Sequence, residues 1–99
     1  MYKLELYPNK GSIYDVREIT CILKGWNGKD PADILWNGTK VFPIRQKPDE
    51  ISVTQQPGMP GTSVPVQVLV NNIPITDTAT FTYDINEGTK PLQFYFLTE

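Results

Sequence analysis

The dipeptide Asn37-Gly38 lies between two short arms that are rich in apolar residues, Ile34-Leu35-Trp36 and Val41-Phe42. Asn and Gly adopt positive φ readily, and a type I′ turn needs positive φ at both central positions. The dipeptide therefore predicts a β-hairpin over residues 34–42. This hairpin constrains the whole chain, because turn and strand signals follow it at the distances expected of a small β-sandwich.

Alternation of apolar and polar residues predicts further strands on both sides of the hairpin. Leu4 and Leu6 alternate with charged residues and stop at a turn signal over residues 8–11. Later segments place apolar side chains at every second position, and residues 71–77 are predicted to connect the last two of them as a hairpin. These positions are Ile19, Cys21 and Leu23; Ile51 and Val53; Val64, Val66, Val68 and Val70; Ala79, Phe81 and Tyr83. The pattern predicts an all-β, Ig-like, two-sheet antiparallel β-sandwich of about seven strands.

Length and composition predict one domain whose stability comes from packing. Ninety-nine residues suffice for one core, and nine prolines with seven glycines suit short strands better than long helices. Cys21 is the chain's one cysteine, so we expect it to be a buried apolar residue and not half of an intrachain disulfide. We expect a sandwich over residues 1–84 and a tail over residues 85–99 that forms an extra strand or a linker. No apolar run approaches the roughly 20 residues of a membrane-spanning helix, so membrane insertion is not expected.

Five motifs, taken in order, give the chain a resemblance to a known family. They resemble those of the IPT/TIG family of immunoglobulin-like domains, found in plexins, transcription factors and many cell-surface proteins. The motifs are Pro8-Asn9-Lys10-Gly11; the strand from Ile19 that ends in Gly25-Trp26; Trp36-Asn37-Gly38-Thr39; Pro57-Gly58 with Gly61, leading into Val64-Pro65-Val66-Gln67-Val68; and Phe81-Thr82-Tyr83.

The resemblance covers about residues 4–84 and implies a sandwich of the early-Set Ig type. Members of this family are mostly non-catalytic and serve in protein contact, in dimerisation, or as spacers beside carbohydrate-active modules. The resemblance favours an extracellular or cell-surface setting over an intracellular one. A lone Cys21 departs from the cysteine-richer plexin-type members.

The composition gives little support for a catalytic or metal-binding function. The chain has no histidine, so nucleophile arrangements that rely on a histidine base are absent. The carboxylates do not follow the spacing of a calcium loop, and one cysteine cannot make an ordinary zinc site. We therefore expect no enzyme activity and no cofactor, and we interpret the close acidic pairs as solvated loop charges. These pairs are Asp15 with Glu18, Asp30 with Asp33, and Asp49 with Glu50.

Charge and local motifs also bear on nucleic-acid binding and modification. The formal net charge is −2 and the basic residues are dispersed, so direct nucleic-acid binding is not expected. Asn37-Gly38-Thr39 satisfies the N-glycosylation sequon, but turn formation already explains its Asn-Gly pair.

The apolar residues of the hairpin cannot all lie in one core. Under a two-residue loop, Ile34, Trp36 and Val41 share one face. If that face is buried, Leu35 and Phe42 lie on the opposite face together with Leu69 from the valine-rich strand. An apolar surface of this kind is typical of a partner-binding patch. The tail, with Phe94 and Phe96, is an alternative cover for it.

Trp26 follows Gly25 in a polar loop and allows two interpretations. The indole either anchors the loop on the edge of the core or serves as a platform on which a sugar ring stacks, with Asn27 and Asp30 supplying polar contacts. The functional expectation is therefore a non-catalytic module of a larger protein that mediates protein contact or dimerisation. A carbohydrate-binding or spacer module and a transcription-factor dimerisation module are the alternatives.

Overall fold

The structure, a computed structural model, describes residues 2–85 and is all-β over that range. Its ten strand segments form two sheets that pack as a sandwich, which confirms the predicted all-β, two-sheet architecture. The segments are β1 (Lys3–Tyr7), β2 (Lys10–Gly11), β3 (Glu18–Lys24), β4 (Ala32–Trp36), β5 (Thr39–Val41), β6 (Arg45–Lys47), β7 (Glu50–Thr54), β8 (Ser63–Val70), β9 (Ile73–Pro74) and β10 (Ala79–Tyr83).

The first sheet has the strand order β1-β3-β7-β6, and the second has the order β2-β10-β8-β4-β5. Strand β9 joins the second sheet by pairing with the end of β8. The chain crosses between the sheets five times: from β1 to β2, from β2 to β3, from β3 to β4, from β5 to β6 and from β7 to β8. Each pairing is antiparallel except that of β2 with β10, which is parallel.

The core lies between the sheets and is built from the alternating apolar positions. Cys21 is fully buried, as predicted, and burial raises the pKa of its thiol to about 12. The thiol therefore stays protonated at neutral pH and serves as a small apolar side chain. The buried apolar residues are Leu4, Leu6, Ile19, Cys21, Leu23, Trp26, Ile34, Trp36, Val41, Ile51, Val53, Val66, Val68, Val70, Phe81 and Tyr83.

The central hairpin forms as predicted. Asn37 has φ 51° and Gly38 has φ 84°, and Trp36 pairs with Thr39 across the turn. Both central residues are thus in the left-handed region that a type I′ turn requires. Since Ile34, Trp36 and Val41 are buried, the opposite face of β4 and β5 points away from the core.

Three short segments go beyond the predicted strands. Strand β6 carries the exposed residues Arg45, Gln46 and Lys47, and so it lacks the alternation by which a half-buried strand is recognised. Strand β2 lies within the predicted turn over residues 8–11, and β9 lies within the predicted connection over residues 71–77. Ile85 is exposed, and the rest of the predicted tail lies outside the described residues.

One end of the sandwich closes around the phenol of Tyr83. Trp36 Nε1 donates a hydrogen bond of 3.0 Å to Tyr83 Oη, and Tyr83 Oη donates one of 2.7 Å to the carbonyl of Gln56. Burial raises the pKa of Tyr83, so its hydroxyl remains protonated and available as a donor at neutral pH. Gly58 packs on this ring so closely that a Cβ atom there would lie 2.2 Å from Tyr83 Cε2.

Candidate interaction surface

The outer face of the second sheet carries the predicted apolar patch. Leu35 and Leu69 are half-buried, and both point away from the core because their neighbours along β4 and β8 are buried. Phe42 follows β5 directly and is 77% exposed, which makes it the most exposed aromatic side chain among residues 2–85. The structure therefore places the three predicted residues on the same face of one sheet.

An ion pair divides this patch. Leu35 lies opposite Lys40 on β5, and Leu69 lies opposite Asp33 on β4. Lys40 Nζ lies 3.4 Å from Asp33 Oδ1 and 5.7 Å from the centroid of the Phe42 ring. The face thus presents an aromatic ring beside one cation and one anion, in place of a continuous apolar surface. We name the set Leu35, Leu69, Phe42, Asp33 and Lys40 the Phe42 face.

Ile44 extends the apolar surface and was missed by the sequence analysis. The link of Phe42, Pro43 and Ile44 carries the chain from the second sheet to the first. Its end is fixed by the Ile44 amide, which donates a hydrogen bond of 2.7 Å to the carbonyl of Ser52. Half of Ile44 remains exposed. Ile44 comes just before β6, a strand that the sequence does not predict. Alternation of apolar and polar residues therefore gives no sign that Ile44 lies on the surface.

The outer face of the first sheet has a different chemistry. Arg45 pairs with Glu18 across β7, and Lys47 Nζ lies 3.4 Å from Glu50 Oε1. The hydrogen bond from Arg45 lowers the pKa of Glu18, and a hydrogen bond with Ser52 adds to this effect. These side chains line a shallow groove of about 320 Å³. This groove is thus lined entirely by charged and polar side chains.

The outer strands of the first sheet are poor sites for edge-to-edge pairing. Strand β6 exposes three polar side chains, two of them cationic, and charged side chains discourage such pairing. On β1, the amide of Leu4 donates a hydrogen bond of 2.9 Å to Asp77 Oδ2. One donor of that strand is thus occupied by the chain itself. In the second sheet, β5 is only three residues long. These edge strands are thus charged, partly occupied or short.

A second apolar region lies at the end of the sandwich where β8 turns into β9. It is a groove of about 470 Å³ lined by Tyr2, Val70, Asn71, Ile73, Pro74, Ile75 and Thr76. Ile73 is 67% exposed there. Among the described residues, no carboxylate or cationic side chain lines this groove, and the phenol of Tyr2 is its one titratable group. Its exposed isoleucine is a useful comparison for Phe42.

Trp26 is a loop anchor and not a sugar platform. Its side chain is 1% exposed, and Nε1 donates a hydrogen bond of 3.0 Å to the carbonyl of Asp30. The side-chain oxygen of Asn27 accepts hydrogen bonds from the amides of Lys29 and Asp30. Asn27 and Asp30 thus hold the loop that buries the indole. The expectation of glycan stacking on Trp26 is corrected, because neither ring face is open to a sugar.

Carboxylates of the acidic pairs noted in the sequence make separate structural contacts. Asp15 pairs with Arg17, Asp33 with Lys40, and Asp49 Oδ1 accepts a hydrogen bond from the amide of Gly25. Among residues 2–85, no three His, Cys, Asp or Glu side chains gather closely enough to hold a metal ion.

Neither the protein-family models that were scanned nor the curated proteins that were searched match this chain. Within the described range, no helix is long and apolar enough to cross a membrane. Functional inference therefore depends on the geometry of the surfaces themselves.

Proposed function

We propose that this chain is a non-catalytic, Ig-like module of the IPT/TIG type that binds another protein through the Phe42 face. The observation that carries the proposal is the exposure of Phe42, directly after β5 at the edge of the second sheet. Full burial of such a ring is worth about 1.5–3 kcal/mol, and aromatic anchors dominate many protein interfaces. The surrounding apolar area is small, so a dissociation constant in about the micromolar to millimolar range follows.

The strand order supports the Ig-like assignment. In Ig constant-type sandwiches, one sheet contains strands A, B, E and D, and the other contains C, F and G. Here β1, β3, β7 and β6 occupy the positions of A, B, E and D, while β4, β8 and β10 occupy those of C, F and G. Strand β5 corresponds to the additional C′ strand that variable-type sandwiches place beside C.

The packing of the resemblance motifs supports the IPT/TIG assignment. Gly58 of the Pro-Gly motif contacts Tyr83 of the Phe-x-Tyr motif, where a Cβ atom would clash. Gly11 of the first motif has more room, since its Cβ would lie 2.7 Å from Arg17 Nη2, the end of a flexible and half-exposed side chain. Gly25 has φ 97° and precedes the buried Trp26. Gly58 and Gly25 therefore meet a steric and a backbone requirement, respectively.

The structure bears differently on the two alternative functions, carbohydrate binding and transcription-factor dimerisation. A carbohydrate-binding module loses its nominated platform because Trp26 is buried. A dimerisation module of a transcription factor uses the same kind of protein contact, and the Phe42 face serves it equally well.

Phe42→Lys tests the proposal in the intact parent protein. We expect the variant to fold normally, within about 0.5 kcal/mol of the native free energy of unfolding, because the ring is exposed. In native cell extract, we expect the parent protein to sediment in a complex that Phe42→Lys reduces in size. Ile73→Lys, at a similarly exposed isoleucine of the end groove, should leave the complex unchanged.

Two sedimentation results would contradict the proposal. If Phe42→Lys and native protein sediment alike, the Phe42 face is not the contact surface. If only Ile73→Lys reduces the complex, the end groove takes its place.

A further inference from the structure

The charges beside Phe42 restrict what can cover it. Asp33 and Lys40 point to the same side of the second sheet as the apolar patch, and their side chains are 34% and 54% exposed. Covering Phe42 removes water from both groups. Burying an ion pair costs free energy unless new partners compensate for the lost hydration. A suitable partner therefore brings a carboxylate near Lys40 and a cation near Asp33.

We propose that this partner is a second copy of the chain, related by a two-fold axis, with Asp33 of each copy facing Lys40 of the other. The inference rests on the proposed function and names its partner. In a two-fold interface the same patch is used on both copies, so a patch with one cation and one anion can be complementary to itself. When the two-fold axis lies in the interface plane and passes between the two charges, the rotation places Asp33 of one copy opposite Lys40 of the other.

The remaining valences of the ion pair suit this arrangement. The contact at 3.4 Å joins Lys40 Nζ to Asp33 Oδ1, so it uses one oxygen of the carboxylate. An ammonium group has three donors and a carboxylate has two acceptor oxygens. A second copy thus adds cross-contacts without breaking the pair within each chain, and four charges of alternating sign meet beside the two Phe42 rings.

The size of the face predicts a weak dimer. Five neighbouring strands at a spacing of about 4.8 Å make a surface roughly 20 Å wide. Only the part of it around Phe42 takes part in the contact, so we expect a smaller buried area than the roughly 800 Å² per partner of a standard interface. The second sheets of the two copies pack face to face in this dimer. Pairing through the edge strand β5 is disfavoured because β5 has only three residues. Like charges placed opposite each other cost enough to abolish a contact of this strength.

Charge reversal separates this arrangement from other modes of association. Lys40→Glu leaves two anions on the face, and Asp33→Lys leaves two cations. We expect native protein to self-associate in sedimentation velocity up to about 1 mM, and each variant alone to do so at least about tenfold more weakly. An equimolar mixture of the two variants should associate, because each supplies the charges that the other lacks.

Further variants complete the design. The double variant Asp33→Lys with Lys40→Glu restores one charge of each sign and should self-associate again. Thermal unfolding should change little in each variant, since an exposed pair is worth at most about 1 kcal/mol. The proposal is overturned if the native protein stays monomeric, or if it self-associates while the variant mixture does not. A monomeric native protein whose parent complex still depends on Phe42 would overturn the self-partner and leave the proposed function intact.

Discussion

Gly58→Ala is expected to destabilise the domain by about 3 kcal/mol or more, among the largest effects of any single methyl group in this chain. The added Cβ would lie 2.2 Å from both Cε2 and Cζ of Tyr83. The ring cannot withdraw easily, because two hydrogen bonds hold its hydroxyl and Phe81 packs edge-on at a centroid distance of 5.2 Å. Thermal unfolding should show a fall of about 15 °C in Tm.

Gly38→Ala is the matched control for this substitution. Gly38 has φ 84°, but nothing lies within 4 Å of the position that its Cβ would occupy. Its cost is therefore that of the left-handed backbone alone, about 1–2 kcal/mol. If Gly58→Ala costs no more than Gly38→Ala, the close packing of the Pro57-Gly58 segment on Tyr83 is wrong.

Tyr83→Phe is expected to lower the free energy of unfolding by about 2 kcal/mol. The substitution keeps the ring and removes the hydroxyl that joins Trp36 Nε1 to the carbonyl of Gln56. Trp36 is buried, so its N–H would be left without that acceptor and without ready access to water. Chemical denaturation should move its midpoint to a lower denaturant concentration with an unchanged slope.

Tyr7→Phe provides the comparison for the loss of a hydroxyl. The Tyr7 hydroxyl donates a hydrogen bond of 3.0 Å to Glu5, but both residues are exposed and water replaces the contact. Its removal should cost less than about 0.5 kcal/mol. Equal costs at positions 7 and 83 would contradict the role assigned to the buried network.

The regular part of the fold was predictable because its sequence signals are local. Asn37-Gly38 specifies a type I′ turn through backbone preference alone, and alternation placed Ile19, Cys21 and Leu23 on the buried face. The same alternation assigned Leu35 and Leu69 to the outer face of the second sheet. These inferences need only the period of a strand and one buried side.

The remaining features depend on contacts between distant segments. Strand β6 exists because Arg45, Gln46 and Lys47 pair with β7, although none of the three side chains is buried. The place of Trp26 is fixed by the carbonyl of Asp30 and by a loop that closes over the core, which local composition does not reveal. Asp33 and Lys40 pair only because the register of the hairpin brings β4 and β5 together at these positions. Their charges make the predicted apolar patch a partly charged surface.

Photo-crosslinking from position 42 tests the central claim most directly. A photoreactive phenylalanine analogue replaces Phe42 in the intact parent protein, and a matched analogue replaces Met59, which is 70% exposed at the end of the sandwich near Tyr83. We expect irradiation in native cells to give a discrete protein adduct from position 42 and no such adduct from position 59. Adducts of equal yield from both positions, or none from position 42, would contradict a protein-contact role for this face.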